Sequence, residues 1–152
     1  MRHYYIYIIG IILCLTSCTQ HSKHWETLKQ VDSFIEERPD SALTVLRGMD
    51  KKALSGKEEE AKHALLLSMA LDKNYIDKTN DSLINIAVDY YKDRDDVRAK
   101  FLSYYYQGRI YTNANNLTQA TLAYLEAEQL VDALGDDYYA GLLYQYHLQA
   151  KK

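Results

Sequence analysis

The segment from Lys100 to Gly135 constrains the fold more than any other stretch, because small and aromatic residues recur in it at helical spacings. Residues three, four and seven positions apart lie on one face of an α-helix. Asn115 and Asn116 separate the two halves of the segment, and asparagine tolerates the left-handed backbone of a tight turn. The segment therefore predicts two helices joined by a short turn. The patterned residues are Tyr104, Gly108 and Tyr111 in the first half, and Ala120, Tyr124 and Ala127 in the second.

This pattern resembles the tetratricopeptide repeat, W-x2-L-G-x2-Y followed by A-x3-F-x2-A, in which two antiparallel helices form a hairpin. In such a hairpin Gly108 and Ala120 have to be small, because the two helices cross closely at that point. Tyr104, Tyr111 and Tyr124 are expected to fill the space around the crossing and to reach the neighbouring hairpin. The resemblance thus implies a repeat-packing role for the six patterned residues.

Two other stretches, Asp40 to Leu43 and Asp81 to Ile84, are near copies of each other, and each begins an apolar helix. Their aspartates are natural N-cap residues. A first helix is expected before each stretch, over residues 25–37 and 59–73, and one more over residues 138–150. Residues 24–152 are therefore predicted to form one all-α domain, a right-handed superhelix of antiparallel helix hairpins. This tetratricopeptide-like solenoid would contain about three and a half hairpins.

The composition agrees with an all-α chain and excludes several functions. The chain has one proline and six glycines, and it lacks alternating β-branched runs. Its net charge of −3 argues against a nucleic-acid partner. Its acidic clusters are interleaved with Lys and Arg, as is typical of solvated helix ends. Because the sequence has no phosphate-binding glycine loop, HExxH motif or nucleophile elbow, we expect no enzymatic activity, no cofactor and no metal.

Residues 1–17 have the layout of a secretory signal peptide, with a basic start and an apolar run too short to span a membrane. The run ends in Leu-Thr-Ser before Cys18, which resembles the bacterial lipobox. In that family the peptide is cut before the cysteine, and its thiol and new amino terminus are acylated. The resemblance implies a lipidated tether over residues 18–23 and a lipid-anchored (palmitate-bearing) protein of the bacterial envelope, on the periplasmic side. An uncleaved anchor and a Cys/His metal site are the alternatives, but Cys14 would leave with the signal peptide.

Taken together, the chain resembles the repeat-bearing periplasmic segments of Gram-negative lipoproteins and sensory regulators. That resemblance implies a membrane-tethered module that binds a protein or peptide. The alternative is a sensory input domain of a signalling or transcription-regulating protein whose output part lies outside this chain.

The positions next to the packing residues are expected to line the concave face of the repeats. A groove that mixes an aromatic ring with charged and amide groups suits a peptide, which it would hold by an anchor pocket and hydrogen bonds. The other interpretation is that these are ordinary solvated helix positions. The residues are Met69, Asp72, Lys73, Tyr105, Arg109, Asn113, Gln145 and Gln149.

The last helix presents Leu142, Leu143, Tyr146 and Leu148 with no second helix after it. A helix that is apolar around most of its circumference is normally covered on more than one side. We therefore expect a homodimer through this helix, or cover by sequence outside this chain. The alternative is a partly exposed cap.

Overall fold

The computed structural model describes residues 23–150, and within them the chain is all-helical. The predicted signal peptide and Cys18 lie outside the described residues. A 3₁₀ turn at Lys51–Ala53 separates the second and third helices. The helices are α1 (Lys23–Phe34), α2 (Pro39–Gly48), α3 (Gly56–Lys73), α4 (Ser82–Tyr91), α5 (Val97–Asn113), α6 (Leu117–Glu128), α7 (Val131–Leu134) and α8 (Asp137–Ala150).

The turn between α5 and α6 has the conformation that its two asparagines predict. Asn115 has a φ of 56°, in the left-handed region. Asn116 is the N-cap of α6, and its Oδ1 accepts a hydrogen bond from the backbone N–H of Gln119 at 3.3 Å. The same kind of cap starts α5, where Asp96 Oδ1 accepts from the Ala99 N–H at 2.9 Å. Side-chain caps thus fix the starts of both helices.

The two predicted aspartate caps do not form. Arg38 occupies the N-cap position of α2 and Pro39 its first turn, so Asp40 already lies inside the helix. Asp81 is the N-cap of α4, but its side chain makes no capping bond. Its Oδ2 instead accepts a hydrogen bond from Tyr111 Oη at 2.7 Å, which lowers the pKa of the Asp81 carboxyl. The aspartate side chain therefore joins α4 to α5 instead of closing its own helix.

The helices pack in the order in which they follow along the chain. The core runs through the whole stack, from Leu28 in α1 to Leu143 in α8. Helix α1 contacts α2 and α3, α2 contacts α3, α3 contacts α4 and α5, α4 contacts α5, α5 contacts α6, α7 and α8, and α6 contacts α8. Helices α3 and α5 are thereby covered on several sides, so a candidate site has to lie on the surface that these contacts leave open.

Gly108 marks the closest approach of α5 and α6, as the sequence predicts. An ideal Cβ at residue 108 would lie 2.5 Å from Cδ1 and 2.8 Å from Cζ of Tyr124, and closer still to Cε1. Ala120, Tyr124 and Ala127 of α6 are fully buried. Burial raises the pKa of Tyr124 to about 12, so its hydroxyl stays protonated and bonds Thr112 Oγ1 at 3.1 Å.

Two of the predicted packing tyrosines are only half-buried, and their neighbours take the interior positions. Tyr104 and Tyr111 lie at the edge of the core. Tyr105 and Tyr106 are buried instead. Because α5 is enclosed by α3, α4, α6 and α8, its buried face extends beyond the single stripe that the spacing of Gly108 and the tyrosines indicates.

Candidate binding cleft

The predicted concave face is not an open groove. Met69 and Tyr105, expected to line it, are 0% and 2% exposed. The Tyr105 ring lies nearly parallel to that of Phe101, with centroids 6.2 Å apart, and meets the Tyr146 ring at a steep angle, with centroids 6.2 Å apart. Aromatic side chains of α5 and α8 therefore fill this part of the stack, and the prediction that Met69 and Tyr105 line an open concave face is wrong.

The charged residues predicted for the same face are paired with other groups of the protein. Arg109 Nε donates to Asp72 Oδ1 at 3.0 Å, and the Arg109 guanidinium lies over the Tyr146 ring, 3.8 Å from its centroid. Lys73 Nζ lies 2.5 Å from Glu36 Oε2. These interactions join the turn after α1 to α3, and α3 to α5 and α8, so they contribute to the packing of the helices.

A second group of ion pairs centres on Asp32 of α1. Asp32 Oδ2 contacts Lys62 Nζ at 2.5 Å, and its Oδ1 contacts Arg98 Nη1 at 3.0 Å. Burial alone would raise the pKa of the Asp32 carboxyl, but the two cations together lower it below its usual value. One carboxylate thus binds α1 to both α3 and α5.

The remaining predicted residues divide between two places. Gln145 and Gln149 are exposed on α8, away from the groups above. Asn113 lies at the end of α5, where it lines a cleft together with Asp72 and Arg109. The structure therefore separates the eight residues predicted for one face into core, paired, exposed and cleft-lining positions.

The cleft has a volume of about 460 Å³ and lies where the ends of α2, α3 and α5 meet the start of α4. A volume of this size is typical of ligand sites in proteins. Aliphatic side chains form much of its wall, and polar side chains surround them. The aliphatic residues are Leu67, Leu71, Ile76, Leu83, Ile86 and Ile110.

Three cations without a carboxylate partner lie around this cleft. They are Arg47 at the end of α2, Lys51 in the 3₁₀ turn and Lys78 in the loop before α4. None of them makes an ion pair with a carboxylate of residues 23–150. Asp72, the acidic residue of the lining, is neutralised by Arg109. The cleft is therefore locally positive in a chain whose net charge is −3.

Ser68 contributes a buried hydroxyl to the cleft wall. The residue is 4% exposed, and its Oγ has no hydrogen-bond partner within residues 23–150. The comparable serine of α5, Ser103, donates to the carbonyl of Ala99 at 2.7 Å. An unsatisfied buried hydroxyl costs about 1–3 kcal/mol. A ligand that accepted a hydrogen bond from Ser68 would offset that cost.

A second depression adjoins the cleft at Ile86, which lines both. It is also lined by Asp89 and Tyr90 of α4, by Asp93 and Arg94 in the loop that follows, and by Lys57 and Glu60 of α3. The two adjoining depressions are together called the groove along α4 below. The residue pattern used for the concave face does not indicate this groove, although Ile86 carries a signal for it. That residue is apolar but lies outside the buried stripe of Ala87 and Tyr91, and it is 44% exposed.

Comparison of the chain with protein-family models, with curated proteins and with solved structures finds no match in any of the three. Within residues 23–150, no group of His, Cys, Asp or Glu side chains is arranged to hold a metal ion. None of the helices in that part of the chain is long and apolar enough to span a membrane.

Proposed function

We propose that this protein is a lipid-tethered, envelope-located module that binds a peptide or an extended segment of a protein. Its helices would form a tetratricopeptide-like right-handed superhelix of hairpins, α1–α2, α3–α4 and α5–α6, with α8 as the final half-hairpin. The order of helix contacts supports this arrangement, since α1, α3, α5 and α8 contact one another in turn and α2, α4 and α6 lie against them. The close contact of Gly108 with Tyr124 supports the resemblance on which the arrangement rests.

The observation that carries the binding function is the groove along α4. The cleft at the start of α4 combines an aliphatic wall, unpaired cations and an unsatisfied hydroxyl with room for a side chain of about leucine size or larger. Peptide sites in proteins use the same combination of an apolar anchor pocket and polar groups that fix the main chain. The ligand would therefore bind along α4, and not on the aromatic-filled face that the sequence indicates.

A site-specific photo-crosslink in the cell envelope tests this placement. A benzoylphenylalanine residue at position 86 should form adducts with a partner, because Ile86 lies in the groove. The matched control is the same residue at position 122, since Leu122 is an apolar residue of α6 that is comparably exposed but lies outside both depressions. Equal adducts at both positions, or none at position 86, would remove the groove as the binding site.

The lipid tether has its own test. Cys18→Ser should leave the precursor uncut or release the protein from membranes, because acylation of the thiol is lost. Fractionation and mass measurement of the mature protein give the result. A mutant that is cut at the same place and stays membrane-bound would contradict the tether.

A further inference from the structure

The charges around the cleft come from three separate elements that converge on one place. Arg47 ends α2, Lys51 lies in the 3₁₀ turn, and Lys78 lies in the loop between α3 and α4. Arg47, Lys51 and Lys78 are all exposed and have no carboxylate partner within residues 23–150, so their charges are available to an anion. Since the chain as a whole is acidic, its composition does not explain the convergence.

Ser68 also lines this cleft, and its hydroxyl is buried without a hydrogen-bond partner within residues 23–150. The start of α4 offers less, because the Ser82 N–H already donates to Asn80 Oδ1 at 2.9 Å. An anion in the cleft would therefore be bound by side chains, and Ser68 and the three cations belong to the lining. A carboxylate accepts hydrogen bonds from both kinds of donor.

The aliphatic part of the cleft limits the kind of anion. Leu83 and Ile86 of α4 face the same space as Ile76 and Ile110. A small inorganic anion would leave this apolar surface in contact with water, whereas an aliphatic side chain beside the anion would cover it. The best occupant carries a carboxylate and an aliphatic group close together.

We infer that the ligand of this cleft is an acidic peptide segment in which a Glu or Asp side chain lies next to an aliphatic residue. This inference rests on the proposed peptide-binding function and adds the chemical class of the peptide. The aliphatic side chain packs against Leu83 and Ile86. The carboxylate accepts a hydrogen bond from Ser68 and lies among Arg47, Lys51 and Lys78.

Binding of defined peptides to the full chain in detergent tests the inference. The probe is a short, fluorescently labelled peptide that alternates Glu and Leu, and its two counterparts replace Glu by Gln or by Lys. We expect the Glu–Leu peptide to bind about tenfold more tightly than the Gln–Leu peptide, and the Lys–Leu peptide to bind most weakly. The preference should shrink at about 1 M salt, where the Debye length falls to ~3 Å.

Two neighbouring lysines give a matched pair of variants. Lys51→Glu should weaken binding of the Glu–Leu peptide about tenfold, because Lys51 lines the cleft. Lys52→Glu makes the same change of net charge in the same 3₁₀ turn but outside the cleft wall, and it should change affinity less than about twofold. Lys78→Glu repeats the test on another element. Equal losses from Lys51→Glu and Lys52→Glu would show a general charge effect and overturn the inference.

Ser68→Ala tests the hydroxyl directly. It should weaken binding of the Glu–Leu peptide about three- to tenfold, since a hydrogen bond to a charged group is lost, while the protein stays folded. Unchanged affinity would overturn the role of Ser68. If the Gln–Leu peptide binds as tightly as the Glu–Leu peptide, the acidic ligand is wrong but the groove still binds peptides. Failure of the crosslink at position 86 would instead remove the proposed function itself.

Discussion

The contact between Gly108 and Tyr124 allows a sharp test of how α5 and α6 pack. In Gly108→Ala, the new Cβ would lie 2.5 Å from Tyr124 Cδ1, well inside van der Waals contact. The ring has little room to move, because it is fully buried and its hydroxyl bonds Thr112 Oγ1. It also lies beside the ring of His147, with centroids 5.9 Å apart. Either the ring or the helix has to shift.

The expected magnitude follows from two opposing effects. Overpacking a close-packed core costs about 1–3 kcal/mol. Replacing glycine by alanine within a helix gains up to about 1 kcal/mol. We therefore expect Gly108→Ala to lower the free energy of unfolding by about 1–2 kcal/mol. Gly141→Ala is the matched control, because Gly141 lies within α8 and a Cβ there would meet no atom within 4 Å. This control should be stabilising by about 0.5–1 kcal/mol.

Urea unfolding followed by far-UV circular dichroism, on the chain from residue 19 onward, measures both changes. A double-mutant cycle then isolates the contact, since Gly108→Ala should become neutral or stabilising in a Tyr124→Leu background. The coupling free energy between the two sites should be about 2 kcal/mol. If Gly108→Ala is as stabilising as Gly141→Ala, the close approach of α5 to the Tyr124 ring is wrong.

Three further predictions concern pH, an ion pair and self-association. Burial and the charge of Lys51 lower the pKa of His63 by more than its hydrogen bond to the Leu46 carbonyl raises it. The His63 imidazole therefore takes up a proton more readily in the unfolded chain than in the folded protein. The buried neutral His63 therefore contributes stability above pH ~6.5, and this contribution is lost as the pH falls through the folded-state pKa. His63→Gln should flatten that part of a plot of unfolding free energy against pH. Arg109→Ala should cost about 1–3 kcal/mol in urea unfolding because it leaves the half-buried Asp72 carboxylate unpaired, whereas a loss below ~0.5 kcal/mol would mean that the pair adds nothing. Light scattering should show a concentration-dependent dimer through α8, where Leu148 is 63% exposed. Leu148→Glu should give a monomer. A wild-type monomer at high micromolar concentration would contradict the dimer.

The helices and one of their contacts could be predicted from the sequence because both depend on local spacing. The segments over residues 59–73 and 138–150 are helical nearly as predicted. Gly108 and Tyr124 meet because a small residue recurs where two helices approach closely, and Ala120 is buried as expected. Asn115 and Asn116 form the turn because their own side chains and backbone preferences favour it. None of these features needs information from a distant part of the chain.

The binding face could not be predicted in the same way, because burial there depends on distant neighbours. Tyr105 lies one residue beyond the recognised stripe of α5, and it is buried because α8 returns to cover it. Asp72 and Arg109 both occupy polar helix positions, and neither sequence neighbourhood indicates that they pair. Periodicity identifies one buried face of a helix, whereas a helix enclosed on several sides has more than one.

The bond between Tyr139 and Glu36 shows how the two ends of the stack are held together. Tyr139 Oη donates to Glu36 Oε1, while Lys73 Nζ lies 2.5 Å from Glu36 Oε2, so one carboxylate joins the end of α1 to α3 and α8. Burial and this bond both raise the pKa of the Tyr139 hydroxyl, which keeps it a donor. Removing only the hydroxyl should therefore loosen the connection without emptying the core.

Tyr139→Phe makes that change, since the ring stays in place against Phe101, at a centroid distance of 6.0 Å. We expect a loss of about 0.5–1.5 kcal/mol in stability and faster amide hydrogen exchange in α1 and α8, with little change in α5. Tyr138→Phe is the matched control, because Tyr138 is the adjacent residue and is 57% exposed. Equal effects of the two substitutions, or unchanged exchange in α1, would show that this bond does not hold the ends together. Faster exchange confined to α1 and α8 would instead mean that the first and last of these helices stabilise each other directly, and not only through the helices between them.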